Sequence, residues 1–317
     1  MNQDPDPDAT ASPAIDCVCR WDFRYFSCGV ISSQGMKVAI TGANGLFGHA
    51  LVQVIGASHH ALPMTRADAD LTCLADVRRV LLTARPDALI HTAGAPDPDK
   101  CERNPEYAFQ TNVVATRNVV DVAKELAIPV AHISTDAVFD GLANSPRTES
   151  DPVNPISVYG KTKLLAEQAV MQLERYWIFR VSVLFGPGKE NFISKGLQAL
   201  RRGDTYTVAA DQIGTATSTM DAADKILETM ESDQFGLFHL CNTSVCSRLE
   251  LMGQAAIFAG LPTIHVVGKS LSEMSRPAPR PKYAVMEMKA LKMAGIAPPR
   301  NWQDALAEYI TTLLRNL

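Results

Sequence analysis

The feature that most constrains this chain is the run Thr41-Gly42-Ala43-Asn44-Gly45-Leu46-Phe47-Gly48. It stands directly behind the short apolar run Val38-Ala39-Ile40 and opens a stretch of helical spacing, Leu46 to Ile55. Strand, glycine turn and helix in that order have few folded solutions. Gly42 permits a tight turn, Gly45 lets the backbone come close to a ligand, and Gly48 lets the helix pack against the strand. The first N–H groups of a helix lack intrahelical partners, so such a turn aims free donors at an anion, with a pyrophosphate the expected case.

The rest of the chain repeats the pattern. His60–Met64, Ala88–His91, Val130–Ile133 and Ile178–Leu184 read as strands; Ala75–Ala84, Glu106–Leu126 and Ser157–Leu173 read as helices. Short β-rich runs alternating with helices predict a parallel sheet covered on both faces, with right-handed connections. The expected class is therefore α/β: a Rossmann-type doubly wound sheet over residues 36–184 that binds a dinucleotide. After Gly186 the texture changes, and 277–281 is rich in Pro and Arg. Residues 185–317 are expected to form mainly a smaller, substrate-binding lobe, with a strand near 235–240 returning to the sheet and a final helix from Trp302 to Leu314. Residues 1–35 open with Asp4-Pro5-Asp6-Pro7-Asp8 rather than a basic, then apolar leader. They read as a disordered extension and not as a signal peptide.

Composition removes other classes. With 30 Lys and Arg against 34 Asp and Glu, the formal net charge is −4, which predicts no nucleic-acid face. No apolar run approaches the ~20 residues of a membrane span. The seven cysteines are odd in number and scattered, which fits free thiols in a reducing cytoplasm better than a disulfide framework. Cys17, Cys19 and Cys28 have no fourth Cys or His near them, so no metal site is expected.

Three further sites carry chemistry. Behind the second strand comes Thr65-Arg66, with no acid beside it where an NAD site usually holds one for the ribose hydroxyls. Arg66 can instead pair with a 2′-phosphate, so NADP(H) is favoured over NAD(H); Asp70-Leu71 follows as an adenine contact or a helix cap. Tyr159 and Lys163 are four apart and share a helix face. A ketone under reduction needs a proton on oxygen, which Tyr159 can give if a nearby ammonium lowers its pKa. Ser134-Thr135-Asp136 ends the strand Val130–Ile133, at the edge that faces the ligand crevice. A hydroxyl there can bond a substrate carbonyl.

Taken in order, these segments resemble a family. The glycine turn, Asp70-Leu71, Ser134 to Gly141, Tyr159 to Leu164, Asn191-Phe192, Asp211-Gln212-x-Gly214 and Arg280-Pro281 follow the sequence seen in dTDP-4-dehydrorhamnose reductases, members of the extended short-chain dehydrogenase/reductases. The resemblance covers about 36–316. It implies a catalytic triad of Thr135, Tyr159 and Lys163, with Lys163 also on the nicotinamide ribose. It implies cofactor contacts from Gly45, Leu46, Phe47, Asp70, Leu71, Ala93 and Gly94, beside Gly42, Gly48 and Arg66 above. The family usually carries Tyr at Ala137, a sugar-stacking Trp at Val183, and Pro at Ala216. Substrate contacts are thus expected from Thr135, Asp136 and Val183. The segment Pro96 to Pro105 is similar to the regulatory beta subunit of methionine adenosyltransferase, an NADP-binding relative. The implied function is NAD(P)H-dependent reduction of a 4-keto sugar nucleotide. The alternatives are an NADP-binding regulatory subunit of another enzyme, or a sugar-nucleotide epimerase or dehydratase. Whether the chain forms a homodimer or joins a partner enzyme is left open.

Overall fold

A computed structural model describes residues 35–232 and 234–315. The first half of the chain runs β1 (Lys37–Thr41), α1 (Leu46–Ser58), β2 (His60–Met64), α2 (Leu74–Ala84), β3 (Ala88–His91), α3 (Pro98–Arg103) and α4 (Pro105–Phe109). A π-helical turn, Gln110–Val114, leads into α5 (Ala115–Leu126), β4 (Val130–Thr135), α6 (Val158–Val170), β5 (Tyr176–Val181) and β6 (Val183–Phe185). Then come α7 (Phe192–Arg201), β7 (Tyr206–Ala209), β8 (Ile213–Ser218), α8 (Thr219–Glu231) and β9 (Gly236–His239). The chain ends with β10 (Val245–Ser247), α9 (Arg248–Phe258), β11 (Val266–Lys269), β12 (Tyr283–Ala284), α10 (Lys289–Met293) and α11 (Trp302–Arg315).

The main sheet has the order β2-β1-β3-β4-β5-β9, and every pairing in it is parallel. Strand alternation explains how both faces are covered. Val38 and Ile40 of β1 point into one core with Leu51 of α1 and Ile226 of α8, while Ala39 between them points into another with Val77 of α2 and Val119 of α5. The strand order reverses between β1 and β3, and ligands of open α/β sheets bind at that switch point, outside the carboxyl ends of the strands.

The second lobe is built on β8, which pairs antiparallel with β10 and parallel with β6 and β12; β7 pairs with β11 beside it. Its core includes Phe185, Leu197, Met252, Trp302 and Leu306. Two readings of the sequence change here. The run Ile178–Leu184 is not one strand: it breaks at Ser182, β5 stays in the main sheet, and β6 leaves to pair with β8. The single helix expected over Glu106–Leu126 is interrupted by the π turn, which turns Asn112 inward. Residues 1–34, with Cys17, Cys19 and Cys28, lie outside the described residues. The described cysteines, Cys73, Cys101, Cys241 and Cys246, are free thiols. No helix among the described residues is long and apolar enough to cross a membrane.

Candidate active site

The glycine turn sits at the switch point. Thr92 Oγ donates to the Thr41 carbonyl at 2.7 Å, and Thr41 Oγ bonds His91 Nδ1 at 2.8 Å, so the ends of β1 and β3 are tied together. Gly42 has φ +69°, a left-handed conformation that favours glycine. A Cβ on Gly48 would stand 2.2 Å from the Gly42 carbonyl oxygen, so α1 could not lie this close to β1 with any other residue there. No side chain caps α1, whose N-terminus follows Gly45. A crevice floored by glycine and by uncapped N–H groups fits a dinucleotide pyrophosphate.

The loops behind β2 and β3 flank this cradle. Arg66 is exposed. Its loop is held by Asp68, which accepts from the Thr65 N–H and hydroxyl, each at 2.8 Å. Asp70 accepts from the N–H and hydroxyl of Thr72 at 2.9 and 2.8 Å, and these bonds hold its carboxyl below the usual range. Leu71 is half-buried and its carbonyl accepts from Asn118. Ala93 and Gly94 lie in the loop behind β3, where Ala95 N–H donates to Asn112 Oδ1 at 2.7 Å. The residues expected to touch the cofactor thus come from three neighbouring strand ends of one sheet edge.

The expected catalytic residues converge behind β4 and at the start of α6. Ser157 caps α6, and Glu102 of α3 accepts from the Val158 N–H at 3.0 Å. Tyr159 is half-buried and packs on Ala95, Cys101 and Ala108. Burial pushes its phenol above the usual value; the neighbouring Thr135 hydroxyl acts the other way, and the charges of Asp136 and Cys101 add to the rise. Lys163 is buried, and its Nζ bonds His132 Nε2 at 2.9 Å and the Ile133 carbonyl at 2.6 Å. Burial pulls this amine down to about 8. The expectation that Lys163 lowers the Tyr159 pKa is therefore not met in the protein alone: the amine is drawn down onto β4, and desolvation governs the phenol.

Thr135 donates to Asp136 Oδ1 at 3.0 Å and accepts from the Ala137 N–H at 3.1 Å. Asp136 also accepts from Ser182 Oγ at 2.6 Å. Burial raises the Asp136 carboxyl above its usual value against these bonds. Asp136 is thus bound into the wall as a support for Thr135. Val183, half-buried, pairs in register with Ala216 and packs on the second core.

Several residues of this arrangement were not singled out in the sequence. Asn112, 2% exposed, bonds Ala95 on one side and Thr162 of α6 on the other, and so fixes the loop behind β3 to α6. Gly160 is needed because a Cβ there would stand 2.2 Å from the Ala137 carbonyl oxygen; this approach brings Tyr159 beside Thr135. The glycine inside Tyr159-Gly160-Lys161 was the available signal. Nothing in the local sequence marks Asn112, Ser182 or His132.

A parallel sheet with a glycine cradle at its switch point, and a Tyr/Lys pair one helical turn apart beside it, defines an extended short-chain dehydrogenase/reductase. Within that class the chain belongs to a particular family: residues 36–315 match the family described as "RmlD substrate binding domain". The chain is 30% identical to a dTDP-4-dehydrorhamnose reductase of Mycolicibacterium smegmatis over 286 residues, 89% of this chain and 87% of that protein. A solved dTDP-4-dehydrorhamnose reductase from Clostridium acetobutylicum superposes with a TM-score of 0.85 at 34% identity, covering 88% of this chain and all of the other. The enzyme of the same name from Bacillus anthracis, solved in complex with NADP, gives a TM-score of 0.85 at 28% identity, with 88% of this chain and 100% of that one covered.

Proposed function

We propose that this chain is an NADPH-dependent reductase that converts the keto group of a 4-keto sugar nucleotide to an alcohol. The observation that carries this reading is the meeting of Thr135, Tyr159 and Lys163 beside an uncapped glycine cradle, in a chain that the reductases named above match over 88–89% of its length. On this reading residues 36–184 mainly hold the dinucleotide and residues 185–317 mainly the sugar nucleotide, and the enzyme works in the cytoplasm.

The dinucleotide supplies the hydride when bound, and the residues of this chain do the rest. The glycine turn and the α1 N-terminus take the pyrophosphate, and Arg66 takes the 2′-phosphate. Tyr159 donates a proton to the carbonyl oxygen. In the protein alone burial makes this phenol a weaker acid, so the step depends on positive charge near the phenol, which the Lys163 ammonium supplies. The Thr135 hydroxyl orients the substrate carbonyl. Its own proton points to Asp136, so offering it to a carbonyl breaks that bond, while Ser182 still satisfies the other carboxylate oxygen. The Lys163 ammonium holds the ribose and favours the phenolate.

The test is NADPH oxidation against a panel of dTDP-4-keto-6-deoxy sugars, with wild type and Tyr159→Phe. The wild type should turn over at least one, and the variant should lose about 10²- to 10⁴-fold in kcat while NADPH affinity stays within a few-fold. Unchanged turnover in Tyr159→Phe would remove the phenol from the mechanism. A regulatory role without chemistry predicts no turnover in either protein.

A further inference from the structure

Two histidines lie side by side under the catalytic lysine, and the mechanism above uses neither. His91 of β3 and His132 of β4 are register partners, both essentially unexposed, with rings stacked at 5.3 Å. The protonation of His91 follows from its bonds. Thr116 gives its hydroxyl proton to the Asn112 carbonyl at 2.7 Å, so it accepts from His91 Nε2 at 3.0 Å. His91 Nδ1 accepts from Thr41. His91 is thus neutral, satisfied at both nitrogens, and a structural residue.

His132 is different. Its Nε2 bonds Lys163 Nζ at 2.9 Å, and its Nδ1 is buried with no partner among the described residues. An ammonium can only donate, so with Lys163 charged the proton of His132 sits on Nδ1, unpaired. A buried N–H without a partner is costly, and an apolar ring would stack on His91 equally well. The one bond that only a polar ring can make here is the bond to Lys163.

We propose that His132 is a positioning residue of the active site, which holds the Lys163 ammonium through Nε2 and keeps that lysine charged inside the protein. The proposal rests on the reading of Tyr159 and Lys163 given above. The groups that face Lys163 support it. From α6 itself come Glu167, one turn on, and Tyr159, one turn back; from β4 come His132 and the Ile133 carbonyl; from β3 comes neutral His91. Glu167 favours the charged amine but is committed to a bidentate pair with Arg180 of β5 and to the Ser134 hydroxyl. The two direct acceptors on Nζ are therefore the Ile133 carbonyl and His132.

The experiment compares pH profiles of kcat/KM for wild type, His132→Phe and His132→Gln. Phe keeps the stacked ring and removes the acceptor; Gln places an amide oxygen near the position of Nε2. Without the acceptor, less of Lys163 stays charged at a given pH. The alkaline limb of His132→Phe should move to lower pH by about one unit, given the usual strength of a bond to a charged group, and His132→Gln should recover most of the shift. A folded His132→Phe protein with an unmoved alkaline limb overturns the proposal. If His132→Phe does not fold, ¹⁵N NMR of the imidazoles in wild-type protein decides: a proton on Nδ1 of His132 at neutral pH supports the proposal, and one on Nε2 overturns it. That measurement needs no turnover, so it separates failure of this proposal from failure of the reductase reading, which Tyr159→Phe tests.

Discussion

At the residue scale, the chemistry depends on a few side chains whose surroundings differ from what their spacing alone suggests. Tyr159 and Lys163 share a helix face, as their i, i+4 relation requires. Yet Lys163 Nζ lies on His132 and the Ile133 carbonyl, and the phenol is governed by burial. Spacing gives the shared face; it does not give the direction in which a four-carbon side chain finds its acceptors. Arg66 is the simpler case, exposed behind the end of β2, and on the reading proposed above it takes the 2′-phosphate of NADP. Arg66→Ala should weaken NADPH binding about 10- to 100-fold, the loss of one charge-assisted bond to phosphate, and leave NADH binding nearly unchanged. Titration of both cofactors into both proteins checks this, and equal losses for the two would show that Arg66 does not read the phosphate.

At the scale of elements, the site is held by how α1 and α6 seat on the sheet. The approach of α1 to β1 depends on Gly48. Gly48→Ala should cost about 1–3 kcal/mol of stability, in line with overpacking, and should weaken NADPH binding because the α1 N-terminus moves. Urea unfolding and a cofactor titration read the two effects. Helix α6 is anchored at its other end by a buried ion pair: Glu167 bonds Arg180 Nε and Nη2 at 3.0 and 2.8 Å, with side-chain exposures of 0% and 4%. Arg180 also stands over the Phe139 ring at 5.3 Å. Removing one partner strands the other in the core. Glu167→Ala should therefore lose about 3–5 kcal/mol in urea unfolding; a loss below about 1 kcal/mol, the range of exposed pairs, would show that water reaches the arginine.

At the scale of the whole molecule, three buried imidazoles should make stability fall early on acidification. His91 and His239 are pulled down to about 3, and His132 well below its usual value, in each case chiefly by burial. The unfolded chain takes up a proton at each near pH 6.5, whereas the folded chain does not until far lower pH. The stabilisation is thus complete above about pH 6.5 and is lost as pH falls from there toward 3. Each histidine contributes a slope of about 1.4 kcal/mol per pH unit across that window. Melting temperatures should fall steeply between pH 6.5 and 5, well before the carboxylates titrate. A melting temperature that stays flat down to pH 5 would mean that the imidazoles are protonated in the folded state.

Local residue patterns are enough to read the α/β class, the parallel sheet and the place of the cradle. Those features are written in local terms: two-residue alternation in Val38–Ile40, helical spacing after Leu46, and glycines at positions that admit no Cβ. Such patterns also mark Tyr159, Lys163 and Thr135, through a helix period and a strand end. What lies outside that local range follows from contacts between distant elements. The break at Ser182 sends β6 to β8 because β8 offers it a partner some thirty residues further along the chain. Asn112 joins the cofactor loop to α6 because the π turn rotates it inward, and no residue pattern announces such a turn. Lys163 Nζ rests against a histidine 31 residues away on another element. Desolvation and hydrogen bonding across elements are properties of the packed molecule, and they are what turned the expected lowering of the Tyr159 pKa into a rise.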